Sequence, residues 1–145
     1  MREYLARAFV LDIVRYRETD NLVDLYVENL GRIEARVTAG RKILSKLSPH
    51  LPGNGLSLVR LVNKNKFIVT DATIVDSHDW NNDGLFWSKK LELFFLLRKL
   101  LPPLNYDMHV WNGLRDAMQT REINFNNFSK TYVQSQKGWK IRLLV

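Results

Sequence analysis

The sequence has no cysteine among its 145 residues, only four prolines, and no long uninterrupted hydrophobic run. The lack of cysteine excludes a disulfide scaffold and any thiolate zinc site. The most apolar stretch, Leu91 to Leu101, is interrupted by Arg98 and Lys99 and is too short to span a bilayer. The N-terminus MREYLARAFVLD has charges within its apolar residues, unlike a signal peptide. We therefore expect a soluble, cytoplasmic protein of one domain, or of one domain with a small appendage.

Positive charge is plentiful and unevenly distributed. The chain has 22 Lys and Arg against 15 Asp and Glu, a formal net charge of +7. The segment from Gly31 to Lys66 has one acidic residue, Glu34, and these basic residues: Arg32, Arg36, Arg41, Lys42, Lys46, Arg60, Lys64 and Lys66. The net charge of the whole chain therefore lies in this one segment. Such a concentrated field favours a polyanionic partner, which leaves nucleic acid, an anionic membrane surface and an acidic protein open.

The first half of the chain has the pattern of short strands separated by turns. Alternating apolar residues predict five strands, at residues 9–14, 22–27, 32–39, 56–62 and 67–75. Asn29-Leu30-Gly31 and the segment 63–66 fit tight turns, because asparagine and glycine tolerate a positive φ. Ile43, Leu44 and Leu47 have helical spacing, which predicts a short helix between the third and fourth strands. This element order is that of the OB-fold, a five-stranded Greek-key barrel.

After Ser77 the pattern becomes helical. A helix is predicted from about Asp83 to Leu101, ended by two prolines, and a second from Tyr106 to Gln119. The tail fits a third helix ended by Gly138, which we favour, or a hairpin over residues 131–145. The predicted fold class is therefore β barrel plus α. It has an OB-fold nucleic-acid-binding domain at residues 1–78 and a helical region at residues 79–145 packed on the barrel.

Four features follow one another in the run AFVLDIVRYRETDNLVDLYVENLGRIEARVTAGRKILSKLSPHL. They are a first strand ending in Arg and Tyr before Glu18-Thr19-Asp20, then Leu22-Val23-x-Leu25-Tyr26, Gly31-Arg32-Ile33, and Gly40-Arg41-Lys42 followed by Ser45-Lys46-Leu47. Together they resemble the N-terminal domain of the RecO family of bacterial recombination mediators. The barrel-to-helix order and the double proline also fit, so the resemblance covers residues 5–120. RecO proteins are usually longer and many have a four-cysteine zinc module, so we expect either a shortened member or a piece of a longer protein.

The resemblance implies a function as well as a fold. RecO-like proteins bind single-stranded DNA, with duplex DNA as a second ligand, anneal complementary strands, and help load recombinase onto DNA coated with single-strand-binding protein. The resemblance therefore implies a non-catalytic protein in recombinational repair, with no cofactor. It also implies single-strand-binding protein and RecR as partners, and a cytoplasmic, nucleoid-associated location.

The residues themselves predict a DNA-binding face on the barrel. Arg32 and Arg36 share one face of the third strand, where they would meet phosphates, and Tyr26 on the neighbouring strand would stack on a base. Further cations lie in the connection after the third strand and in the hairpin turn that often flanks the groove of an OB-fold. The predicted DNA-binding residues are Tyr26, Arg32, Arg36, Arg41, Lys42, Lys46, Lys64 and Lys66.

Enzymatic readings of the sequence have little support. Asp76, His78, Asp79 and Asp83 match no known metal-site spacing, and a polar linker with a helix cap explains them better. Gly40-Arg41-Lys42 lacks the spaced glycine and the hydroxyl residue of a Walker loop, and no serine lies in a nucleophile elbow. We therefore expect no enzyme and no metal. Two alternatives to DNA binding stay open, namely a barrel that docks an acidic protein and an RNA-binding OB protein.

Overall fold

The computed structural model describes residues 2–18, 20–38, 41–47, 55–77 and 84–120. The strands are β1 (Arg2–Arg15), β2 (Asp20–Val27), β3 (Gly31–Thr38), β4 (Gly55–Lys64) and β5 (Lys66–Ser77). The helices are α1 (Arg41–Leu47), α2 (Gly84–Leu100) and α3 (Met108–Thr120). None of these helices combines the length and the apolar character needed to cross a membrane. The sequence pattern for the tail after residue 120 falls outside the described residues.

The five strands form a closed barrel in the order β1-β2-β3-β5-β4. All neighbours are antiparallel except β3 and β5, which run parallel with Ala35 opposite Phe67. The junction of β3 with β5 that closes the barrel consists of two residue pairs, Ala35 with Phe67 and Arg36 with Ile68. α1 lies between β3 and β4 in the chain, and its Leu47 is fully buried in the barrel core. This is the OB-like arrangement, and it confirms the predicted barrel followed by helices.

Residues with positive φ make the tight reversals of the barrel. Asn29 (φ 66°) and Gly31 (φ 98°) turn the chain between β2 and β3, and Asn65 (φ 64°) turns it between β4 and β5. Left-handed backbone is accessible to glycine and tolerated by asparagine, whose short polar side chain bonds locally. Both turns lie where the sequence predicts them.

A β-bulge in β1 redirects its side chains. Val10 pairs with Leu25 and Asp12 pairs with Asp24, so Leu11 is the extra residue. Phe9 and Leu11 contact the helices, whereas Ile13, two residues further on, packs against the barrel interior. Strict alternation along residues 9–14 predicts all three apolar residues on one face, and this prediction is wrong because the bulge shifts the register by one residue.

Two hydrophobic cores result. The first fills the barrel with small and branched side chains from all five strands, such as Val10, Leu25 and Val59. The second lies outside the barrel, where Phe9, Tyr26 and other strand residues meet the buried faces of α2 and α3. Trp111 of α3 is its largest member, with its ring centroid 4.8 Å from that of Phe9 in an edge-on arrangement. The helices therefore pack directly on the barrel wall.

A network of ion pairs joins α2 to the same wall. Arg98 contacts Asp12 at 2.9 Å and Asp24 at 3.3 Å. Arg32 of β3 contacts the other oxygen of Asp24 at 3.2 Å. Burial raises the pKa of Asp24 above its ordinary value, although the two guanidinium groups oppose that shift. The cations thus compensate the cost of covering the carboxylate with a helix.

Lys90 of α2 is buried, with 2% of its surface exposed, and desolvation lowers its pKa to about 8. In the unfolded chain the pKa returns to about 10.5, so the unfolded chain holds the proton more tightly above pH 8. We therefore expect the free energy of unfolding to rise from pH 8 toward pH 10, by on the order of 1 kcal/mol. Urea titrations at several pH values would measure the rise, and Lys90→Met should remove it. Above pH 10 the raised pKa of buried Tyr26 acts in the opposite direction.

Candidate nucleic-acid interface

The outer face of β2 and β3 carries the predicted DNA-binding residues, and the helices cover half of it. Three cross-strand pairs lie along this face: Leu22 with Arg36, Asp24 with Glu34, and Tyr26 with Arg32. At the Tyr26 end the face is packed against α2, α3 and the segment that joins them. At the Leu22 end it borders a surface cleft. The two ends of one face therefore have different roles.

Tyr26 is fully buried, so the prediction that its ring is exposed for stacking is wrong. Its hydroxyl donates to the carbonyl of Asp107 at 2.8 Å and accepts from the amide of Asp107 at 2.9 Å. Asp107 also caps α3, because its carboxylate accepts from the amides of His109 and Val110. Burial raises the pKa of Tyr26, in keeping with its packed surroundings. Tyr26 fixes the start of α3 to the barrel.

Arg32 likewise has a structural role that the sequence did not indicate. Its guanidinium donates to the backbone carbonyls of Arg98 at 2.6 Å and Leu101 at 3.0 Å, in addition to its ion pair with Asp24. These carbonyls belong to the end of α2, where backbone acceptors lack partners within the helix. With three of its five N–H groups used in this way, Arg32 holds α2 to the barrel, and its assignment to the DNA-binding set stays a prediction.

The open half of the face forms a cleft of about 320 Å³. It lies between the β1–β2 turn and the β4–β5 turn and is lined by Tyr16, Leu22, Glu34, Arg36, Asn65, Lys66 and Phe67. Two of the predicted residues, Arg36 and Lys66, thus meet in one place although thirty residues separate them in the chain. The parallel pairing of β3 with β5 brings them together, since Arg36 is opposite Ile68.

Tyr16 is the aromatic residue exposed in this cleft, with 42% of its surface accessible. The guanidinium carbons of Arg17 and Arg36 lie 5.0 Å and 5.5 Å from its ring centroid. A hydrogen bond from Arg17 and the charges of Arg17, Lys66 and Arg36 lower the pKa of its phenol. The ring is therefore held among cations at the surface, which is the combination that a single-stranded nucleic acid uses for stacking and charge neutralisation.

Arg36 has a buried side-chain donor, its Nε, without a hydrogen-bond partner among the described residues. A buried donor without a partner is costly, so such a donor is commonly satisfied by a ligand or water. Arg36 thus makes an aromatic contact within the protein, and its half-buried side chain lines the cleft that an incoming anion would enter.

The remaining predicted cations do not all join the cleft. Lys64 is exposed and pairs across the β4–β5 turn with Lys66. Lys46 of α1 contacts Asp71 at 3.5 Å and is not among the residues that line the cleft. The side chains of Arg41 and Lys42 fall outside the described residues, so their contribution stays a prediction. Across the described ranges no group of three acidic or histidine side chains could hold a metal ion. Of the four-residue metal set considered from the sequence, His78, Asp79 and Asp83 lie outside those ranges.

Comparison with known families decides the relationship. Residues 1–77, more than half of the chain, match the family model described as Recombination protein O N terminal. The chain belongs to the RecO family. No curated protein gives a significant match to it. Membership in the RecO family agrees with the barrel seen here, and it makes this a DNA recombination or repair protein of the OB-fold type.

In this RecO-family chain the cleft contains an exposed aromatic residue, Tyr16, that is not among the predicted DNA-binding residues. Tyr16 appeared only as the end of the first strand, whereas the stacking role was given to Tyr26. A signal was present, because Tyr16 is flanked by Arg15 and Arg17 in a polar turn and no apolar neighbours indicate burial. Tyr26 instead lies between the apolar residues Leu25 and Val27 of β2.

Proposed function

We propose that the chain binds single-stranded DNA in the cleft between the β1–β2 and β4–β5 turns. The observation that carries the proposal is the exposed ring of Tyr16 held among Arg17, Arg36 and Lys66. A base stacks on the ring, and the neighbouring phosphates bind the guanidinium and ammonium groups. Membership in a recombination protein family supports DNA as the polyanion.

Geometry favours single-stranded over duplex DNA for this cleft. Stacking on Tyr16 requires a base face that is free, which a paired and stacked duplex does not offer. The described part of the barrel places strands and turns at the cleft, not a helix of the kind that enters a major groove. Duplex DNA would then bind more weakly, through phosphates alone. Because phosphates carry no sequence information, binding to the cations tolerates any sequence.

Replacing Tyr16 with alanine tests the stacking role. Loss of a stacked base should weaken binding to a thymine oligonucleotide about fivefold or more, the low end for base–aromatic stacking. Phe95→Ala is the matched control, since Phe95 is 52% exposed on α2, away from the cleft. Fluorescence anisotropy with a labelled oligonucleotide measures both variants. Equal affinities for wild type and Tyr16→Ala would remove Tyr16 from the interface.

The salt response tests phosphate binding in the same assay. The logarithm of the affinity should fall by about 0.7 per logarithmic unit of salt for each phosphate neutralised. Labelled RNA and an acidic peptide of equal charge test the two alternative ligands. Tighter binding of the peptide than of DNA would favour the acidic-protein alternative. Tighter binding of RNA would favour an RNA-binding role.

In the cell, we propose a non-catalytic role in the cytoplasm, associated with the nucleoid. The chain would anneal complementary strands and help recombinase load onto DNA, with single-strand-binding protein and RecR as partners. What supports these finer roles is the family, because each is a RecO-type activity that begins with holding a single strand. Annealing needs no group of the protein to react, only release of bases from the cleft as they pair.

A further inference from the structure

The cleft contains an acidic residue that phosphate binding does not explain. Glu34 is exposed and lines the cleft together with Arg36 and Lys66. Within the described residues it forms no ion pair, because Arg36 directs its guanidinium toward the Tyr16 ring. A carboxylate repels phosphates, so Glu34 weakens binding if the cleft contacts only the sugar–phosphate backbone of the DNA. Its position calls for a ligand that offers hydrogen-bond donors.

We propose that Glu34 binds the Watson–Crick edge of the base stacked on Tyr16, and that the cleft therefore prefers guanine. This inference rests on the proposed DNA-binding function. An ionised carboxylate only accepts hydrogen bonds, and it can take two parallel bonds from adjacent donors. Guanine has such a pair, the ring N1–H and the exocyclic amino group, side by side. Adenine and cytosine present one amino group beside a ring acceptor, and thymine presents one N–H between two carbonyls.

The spacing on β3 fits a nucleotide with its phosphate. Glu34 and Arg36 are alternate residues of one strand, so they lie on the same face about 7 Å apart. The guanidinium of Arg36 and the carboxylate of Glu34, which has no ion pair within the described residues, thus provide donors and an acceptor on one face of β3. The donors suit phosphate, the acceptor suits the edge of the base, and Tyr16 supplies the surface for stacking between them.

The preference should be modest because the cleft is open to water. A good bidentate contact to a base discriminates by between fivefold and a hundredfold or so, and an exposed carboxylate belongs at the lower end, about fivefold. An oligonucleotide with guanine at alternate positions should therefore bind about five times more tightly than one made only of thymine. Hypoxanthine keeps the N1–H and the shape of guanine but lacks the amino group, so its affinity should be intermediate.

Three labelled oligonucleotides of about 12 nucleotides, within the usual site size of an OB-fold, test the inference. The first is all thymine, the second alternates guanine with thymine, and the third alternates hypoxanthine with thymine. Alternation prevents runs of guanine from assembling into four-stranded structures. Each is titrated by fluorescence anisotropy against wild type and Glu34→Gln, with thermal unfolding as a check on the variant's fold.

The inference predicts opposite changes in the variant. Glu34→Gln should bind the thymine oligonucleotide more tightly, because a negative charge is gone, and should lose the preference for guanine, because its amide presents one acceptor. Equal tightening for all three oligonucleotides would mean that Glu34 only repels phosphate, which overturns the inference and leaves DNA binding intact. Equal affinities of the wild-type protein for the three oligonucleotides would also overturn the inference, and that result needs no variant. If none of them binds, the proposed function fails together with the inference.

Discussion

Replacing Gly31 with alanine is expected to lower the free energy of unfolding by about 3 kcal/mol or more. Gly31 has φ +98°, a backbone conformation in which side chains are strained. A Cβ built at this position would lie 2.7 Å from backbone atoms of Asn105 and 2.8 Å from the amide of Tyr106. Backbone cannot move aside as a flexible side chain can. Alanine therefore forces the α2–α3 segment away from the β2–β3 turn.

The loss at Gly31 should extend beyond the turn itself. The segment next to it bonds to β3, where the amide of Leu104 donates to the carbonyl of Arg32 at 2.9 Å. It also leads into Asp107, which binds the buried Tyr26 hydroxyl. Urea unfolding followed by circular dichroism measures the effect. Asn29→Gly is the matched control, because Asn29 also has positive φ in this turn but is exposed. Equal midpoints for Gly31→Ala and wild type would contradict the close contact described here.

Reversing the charge of both cleft cations, Arg36→Glu with Lys66→Glu, should weaken binding to single-stranded DNA about 100-fold. Each charge-assisted hydrogen bond contributes about 1.5 kcal/mol or more, and two such contacts are lost. The introduced carboxylates add repulsion at the point where phosphates approach. Anisotropy titration at low salt gives the affinity, and the slope against salt should also become shallower.

The control for the reversal keeps the same total charge. Arg60→Glu with Lys99→Glu changes two exposed cations elsewhere, one on β4 and one on α2, and so alters the net charge by the same amount. If binding depended only on the overall charge, both double variants would lose affinity equally. That outcome would place the DNA elsewhere on the molecule. A loss confined to the Arg36 and Lys66 pair locates the ligand in the cleft.

The sequence predicted the barrel well because its signals are local. Alternation marks each strand, and Asn29, Gly31 and Asn65 lie where the chain reverses. The basic segment also led to Arg36 and Lys66, which line the cleft. The sequence pattern does not show which part of the outer face of the barrel the helices cover. Tyr26 and Arg32 match the pattern of exposed binding residues, and only contacts from residues 98–107 change their role.

The bulge at Leu11 is a second example of this limit. A one-residue irregularity leaves the composition of the strand unchanged, yet it decides which side chains contact the helices. Tyr16 shows the opposite case. It lies in a polar turn, and it becomes part of a cleft only because β5 places Lys66 beside it. Long-range pairing, not local pattern, therefore determines which predicted residues meet.

The second core has a practical consequence for how this protein can be divided. The family match stops at residue 77, before α2 and α3, the helices that cover the outer wall of the barrel. A chain truncated there would leave Phe9, Leu11 and Tyr26 without their cover, and the carboxylates of Asp12 and Asp24 without Arg98. Such a truncation exposes a strip of apolar and acidic side chains and favours self-association. The smallest fragment that folds without self-association should therefore extend through α3.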